Sequence, residues 1–270
     1  MTENRNVYTH GHHASVLVSH RWRTAQNSAG YLIPELRAGL SILDVGAGPG
    51  TITADLAALV APGVVTALEM SDAALELSRA EAASRGITTM RFAVGDVHAL
   101  DYPDDSFDVV HAHQVLQHVA DPVQALREMA RVCKPGGIVA ARDGDYAAFT
   151  WYPASAELED WLRLYREAAR ANGGEPDAGR RMLAWAHAAG IADVTATAGL
   201  WCYASPEDRA WWGGSWSQRI QTSDIARQLL TAGLATEDDL RRIGDGWLAW
   251  AADPDGWFMV PHGEILCRIS

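Results

Sequence analysis

The chain has 270 residues, 48% of them apolar, enough for one large α/β domain or one domain with a substantial insertion. Its formal charge of −12 would repel phosphate backbones and anionic lipid, which argues against nucleic acid and membrane as partners. Cys133, Cys202 and Cys267 lack metal-type spacing and fit a reducing compartment better than a disulfide framework. No apolar stretch follows the polar start, and no run nears the roughly 20 apolar residues of a membrane span, so a cytoplasmic location is the expectation.

Residues 1–14 are polar and His-rich and read as an arm. Residues 15–31 read as a helix with Ser15 as its N-cap. A βα alternation then begins. Ser41–Val45 is a first strand ending in a glycine turn, and Thr51–Ala61 a helix stopped by Pro62-Gly63. Val64–Glu69 is a second strand, followed by a helix capped by Asp72 and ended at Gly86. Met90–Val94 and Asp108–Ala112 are strands three and four. Asp121-Pro122 opens a helix through Val132, and Ile138–Arg142 is a fifth strand. Strands and helices alternating at this spacing give parallel βαβ units in a doubly wound sheet, whose ligands sit outside the carboxyl ends of the strands.

The rhythm then changes. Glu157–Ala171 and Arg180–Ala189 read as helices and Ile191–Tyr203 as a strand. Residues 206–252 form a Trp-rich helical block, with Trp211, Trp212, Trp216, Trp247 and Trp250 inside it. These indoles suit a core, a homodimer surface or a lined pocket. Trp257–Val260 and Glu264–Ile269 form a last strand, bent at Pro261-His262-Gly263.

Gly46, Gly48 and Gly50 follow the first strand and precede a helix, where glycine lets the backbone turn tightly and approach a ligand. Alone, the loop would also suit a dinucleotide, although Thr51 stands where that fingerprint wants its third glycine. Glu69 ends the second strand, where a carboxylate can accept from both hydroxyls of a ribose. Asp96 follows the third strand, where it can accept from an adenine amino group while the next backbone N–H donates to the ring. These positions lie in order along one sheet edge.

Ile42-Leu43-Asp44-Val45-Gly46-Ala47-Gly48-Pro49-Gly50 resembles the first motif of class I S-adenosylmethionine (SAM)-dependent methyltransferases. Phe107-Asp108-Val109-Val110, followed by Gln114-Val115-Leu116-Gln117-His118-Val119, resembles their fourth-strand motif, and Arg131–Gly137 their turn into the fifth strand. The nearest likeness is to the small-molecule methyltransferases of the ubiquinone/menaquinone-biosynthesis type. It covers about residues 40–145 strongly and residues 1–35 and 190–270 weakly. It implies an α/β, doubly wound, mostly parallel seven-stranded sheet, the Rossmann-like methyltransferase fold, with a helical lid (206–252) inserted before the last strand. One structural domain would comprise an arm and lid helix (1–35), a SAM-binding core (36–145) and the remainder of the sheet with its lid (146–270).

The same resemblance implies roles. Gly46, Ala47 and Gly48 would pass the methionine part of SAM, with Asp44 supporting the turn. Glu69 would hold the ribose, Met70 would pack on the adenine, and Asp96 and Val97 would grip its edge. The backbone at Ala112 and His113 would face the methionine amine. Arg21 or Arg23 would reach the SAM carboxylate, with Tyr8 and His12 closing over it. His113, Asp143, Asp145 and Tyr146 are candidate general bases, needed only if the nucleophile keeps its proton. The expected products are S-adenosylhomocysteine and a methylated small molecule. No metal is expected, since His10, His12 and His13 have no cysteine or acid at ligand spacing. The alternatives are a SAM-bound protein of this fold that does not transfer methyl groups, and a nicotinamide-dependent oxidoreductase.

Overall fold

The computed structural model describes residues 22–270. Parallel strands β1 (Ile42–Val45), β2 (Val65–Glu69), β3 (Met90–Val94), β4 (Phe107–His113) and β5 (Cys133–Gly144) form most of one sheet, in the order β3-β2-β1-β4-β5. The long strand β8 (Trp257–Arg268) runs antiparallel to β5. A short strand β6 (Thr150–Tyr152) continues the β5 side of β8, and β7 (Asp193–Tyr203) pairs along its other edge. The sheet therefore has eight strands, one more than the sequence implied, because β6 is too short to carry a periodic signal.

Several boundaries differ from expectation. β5 runs on through Asp143 and Gly144, and His113 is the last residue of β4 instead of lying beyond it. β8 is continuous through Pro261. The Pro261 carbonyl accepts from Asp145 N–H on the β5–β6 side, in the gap between the His262 and Met259 pairings, so the proline's missing N–H costs no ladder bond there. The expected helix over 15–31 is replaced, within the described residues, by a single turn, α1 (Ala25–Ser28), whose N-cap Thr24 is extended and shares a capping box with Asn27.

Helices α2 (Thr51–Val60) and α3 (Asp72–Ser84) cover one sheet face together with α1, around Ile42, Val65, Ala67, Val109 and Ala140. Ser71 caps α3, leaving Asp72 in the first turn, where its charge favours the helix dipole. The opposite face packs under α4 (Pro122–Val132) and α6 (Met182–Ala188) around Leu43, Val45, Val110, Val139 and Ile265.

The Trp-rich block is three helices, α7 (Pro206–Thr222), α8 (Asp224–Thr231) and α9 (Glu237–Ala252). With α5 (Ala156–Ala171) and β6 they enclose a second, aromatic core. Trp161 crosses Trp216 and Trp247 edge-on at 4.5 and 4.8 Å between ring centroids, the geometry the ring quadrupoles favour. Trp212, Trp216, Trp247 and Trp250 are all buried there, so these indoles serve as core, not as pocket wall. Among the described residues no helix is long and apolar enough to cross a membrane.

Candidate active site

The glycine loop closes the β1–α2 turn with Gly46, Gly48 and Gly50 all at positive φ. Gly46 is the tightest: at φ 67° an added Cβ would lie 2.5 Å from Val115 Cγ2. The Gly46 and Ala47 amides both donate to the Leu68 carbonyl, tying the loop to the end of β2. Glu69 completes the tie, its Oε1 accepting from Gly48 N–H at 2.7 Å. Loop and acid thus meet at one point on the sheet edge.

Asp44 is buried and accepts from Thr53 Oγ1 and from His111 Nδ1 at 2.7 Å. It braces the turn from below through these side chains. Met70 is 60% exposed beside Glu69, leaving an apolar thioether in solvent at the edge. Asp96 accepts from His98 through both backbone and side chain. Partial burial works against its charge, but those bonds prevail and hold its carboxyl below the usual range. Val97 is buried in the core beside it. Tyr8, His12 and Arg21 lie outside the described residues.

The candidate bases separate. Side chains alternate along a strand, so Arg142 and Asp143 face opposite ways. Asp143 is fully buried on the α4 side, where its oxygens accept from Leu116 N–H at 3.3 Å and Gln117 N–H at 3.1 Å. Burial pushes its carboxyl up to about 7 despite those bonds. It pins the turn after β4. Asp145 is held by Arg180 through two contacts at 2.7 and 2.8 Å. Tyr146 stacks between Phe149 and Tyr165 in the aromatic core. His113 alone reaches the face covered by α1.

There it joins residues that the sequence did not single out. In register across four strands stand His113, Arg142, Glu264 and Thr197, so their side chains share one face. His262 follows on the same face, with Gly144 and Gly199 as its neighbours. Trp201 closes the group. Its ring lies 4.3 Å from His262, 5.7 Å from His113 and 4.9 Å from the Arg142 guanidinium carbon. Arg23 lies against the same indole at 5.4 Å, and Trp201 Nε1 donates to the Asn27 carbonyl, so the α1 segment roofs the cluster. Gln114, at a φ of 54° that non-glycine residues seldom adopt, brings its amide nitrogen 3.0 Å from His262 Nε2. Burial, reinforced by the Arg23 and Arg142 charges, holds the His113 imidazole well below its ordinary range and therefore neutral. Neither of its ring nitrogens has a hydrogen-bond partner among the described residues.

A family model described as a methyltransferase domain matches residues 36–221. An uncharacterized methyltransferase of Schizosaccharomyces pombe is 34% identical over 97% of this chain and 96% of its own length. A ubiquinone/menaquinone biosynthesis C-methyltransferase of Hahella chejuensis is 38% identical over 38% of this chain and 42% of its own. Among solved structures, a Haemonchus contortus phosphoethanolamine N-methyltransferase, crystallised with phosphomonomethylethanolamine and S-adenosylhomocysteine, matches 86% of this chain and 49% of its own at 17% identity and a TM-score of 0.53. The chain belongs to the class I SAM-dependent methyltransferase family.

Proposed function

We propose that the chain transfers a methyl group from SAM to a small-molecule acceptor. The observation that carries this is the convergence of the Gly46–Gly50 loop with Glu69 through the Gly48–Glu69 hydrogen bond. A loop too close to Val115 for any side chain at Gly46, next to a carboxylate at the end of β2, fits the methionine and ribose portions of SAM. Gly46, Ala47 and Gly48 border the methionine part, with Asp44 beneath. Glu69 takes the ribose hydroxyls, Met70 covers the adenine with its exposed thioether, and Asp96 with the Val97 amide meets the adenine edge. Arg21 or Arg23 reaches the SAM carboxylate, with Tyr8 and His12 closing over it, and the backbone at Ala112 and His113 faces the methionine amine.

When bound, SAM supplies an electrophilic methyl group whose transfer needs no metal. The chain must align the acceptor, exclude water and, for a protonated nucleophile, take up a proton. His113, buried with both ring nitrogens unpartnered among the described residues, has a free lone pair for the last task, and its burial and the Arg23 and Arg142 charges keep it a weak base. The contact of Trp22 with Trp211 at 5.7 Å joins the α1 segment to α7 and supports a closing role for the helical block within one structural domain. The acidic surface and the scattered cysteines support a cytoplasmic enzyme with no nucleic-acid or membrane partner. Incubation with methyl-labelled SAM and a panel of small acceptors tests the proposal. Label transfer with S-adenosylhomocysteine release is expected. SAM binding with no transfer to any acceptor would favour a SAM-bound protein with other chemistry.

A further inference from the structure

Arg142 is the most unusual residue on the α1 face. It is 2% exposed, yet it carries a full charge in the middle of the sheet. Its Nε donates to Glu264 Oε1 at 3.0 Å, and Thr197 Oγ1 donates to Glu264 Oε2 at 2.9 Å. Both carboxylate oxygens are engaged, so Glu264 is fixed and holds the guanidinium by one edge. Gly199 keeps this arrangement open: an added Cβ would fall 2.3 Å from Glu264 Oε1 and 3.3 Å from Arg142 Nη2. The Trp201 ring lies against the guanidinium. What remains is Nη1, a buried N–H donor with no partner among the described residues.

A buried guanidinium donor without an acceptor is costly, and such groups ordinarily meet a protein acceptor, water or a ligand. Tyr31 Oη is also buried without a partner, on the segment that covers this face. Burial and the nearby Glu264 carboxylate hold this phenol well above its usual range, so it stays protonated and can donate. The two unpartnered His113 nitrogens complete the set. Arg142 Nη1 can only donate, and a guanidinium favours an ionised oxygen over a neutral one.

We propose that the polar rank His113–Arg142–Glu264–Thr197, roofed by Tyr31 and Trp201, is the acceptor site, and that it selects acceptors bearing an oxyanion of the carboxylate or phenolate type. This rests on the methyltransferase reading above. Arg142 Nη1 and Tyr31 Oη donate to the oxyanion, Glu264 and Thr197 position Arg142, and the indole of Trp201 supplies a flat apolar wall.

The test uses the full chain saturated with S-adenosylhomocysteine, titrated calorimetrically with benzoate, 4-nitrophenolate and the neutral benzamide. At least one anion is expected to bind at least tenfold more tightly than benzamide, and the preferred anion distinguishes carboxylate from phenolate. Arg142→Lys keeps a charge beside Glu264 but removes the Nη1 donor, and Tyr31→Phe removes only the hydroxyl. Each is expected to cut anion affinity about fivefold or more with S-adenosylhomocysteine affinity unchanged. Equal binding of benzamide, no anion binding to the loaded protein, or anion affinity unchanged in both variants would overturn the proposal. Failure of S-adenosylhomocysteine itself to bind would instead overturn the methyltransferase reading.

Discussion

Replacing Asp143 by Asn should change how stability depends on pH. The carboxyl is fully buried, and its folded pKa lies at about 7 against about 3.9 in an unfolded chain. Below the unfolded value both states are protonated and the group contributes nothing. As pH rises from there to the folded value, the unfolded chain releases its proton while the folded one keeps it, so stability falls. The loss is about 1.4 kcal/mol per pH unit and totals on the order of 4 kcal/mol once pH exceeds the folded value. Asn is neutral throughout and removes that slope. It also forfeits one of the two acceptors that serve Leu116 and Gln117 N–H, a cost of about 1–3 kcal/mol that does not vary with pH. The stability of Asp143→Asn relative to the native chain should therefore rise by about 3 kcal/mol between about pH 5 and about pH 8. Urea unfolding of both proteins at the two pH values measures this difference, and the titration of every other group cancels to first order. A difference that stays constant with pH would refute the buried, proton-retaining carboxyl.

Other outcomes follow from single contacts. Glu69→Gln removes the charge that accepts from Gly48 N–H and should weaken S-adenosylhomocysteine binding about tenfold by calorimetry. Gly46→Ala places a methyl against Val115 at a positive φ, which should cost about 1–2 kcal/mol in urea unfolding and reduce cofactor affinity as the loop shifts. Trp247→Ala empties the centre of the aromatic core, where the ring meets Trp161 and Phe258. It should destabilise by about 3–5 kcal/mol in the same assay while leaving S-adenosylhomocysteine affinity intact.

The parts of the site that the sequence made legible are those built locally. Gly46–Gly50, Glu69 and Asp96 each sit within a few residues of a strand end, so their place on the edge follows from the βα rhythm alone. The acceptor rank is different. Arg142, Glu264 and Thr197 meet only because β5, β8 and β7 pair in one register, and that register joins Glu264 to Arg142, 122 residues away, and to Thr197, 67 residues away. Arg142 left a trace, a charge ending an apolar strand. His262 was hidden because Pro261 looked like a bend, whereas its missing N–H falls in a gap in the ladder. Asp143 and Tyr146 appear as equal candidates with His113 in sequence, and strand alternation and the aromatic core separate them. In the Trp-rich block the helix breaks were written in the chain, at Ser223 and at Gly233 before the Thr236 capping box, but period alone ran across them. Thr24 and Asn27 likewise mark the start of α1 that a search for Pro and Gly passes over.

The most direct test of the central claim is calorimetric titration of the native chain with S-adenosylhomocysteine and, separately, with NAD. Saturable one-site binding of S-adenosylhomocysteine, weakened by Glu69→Gln, with no heat from NAD, is the predicted result. Binding of NAD with none of S-adenosylhomocysteine would contradict it.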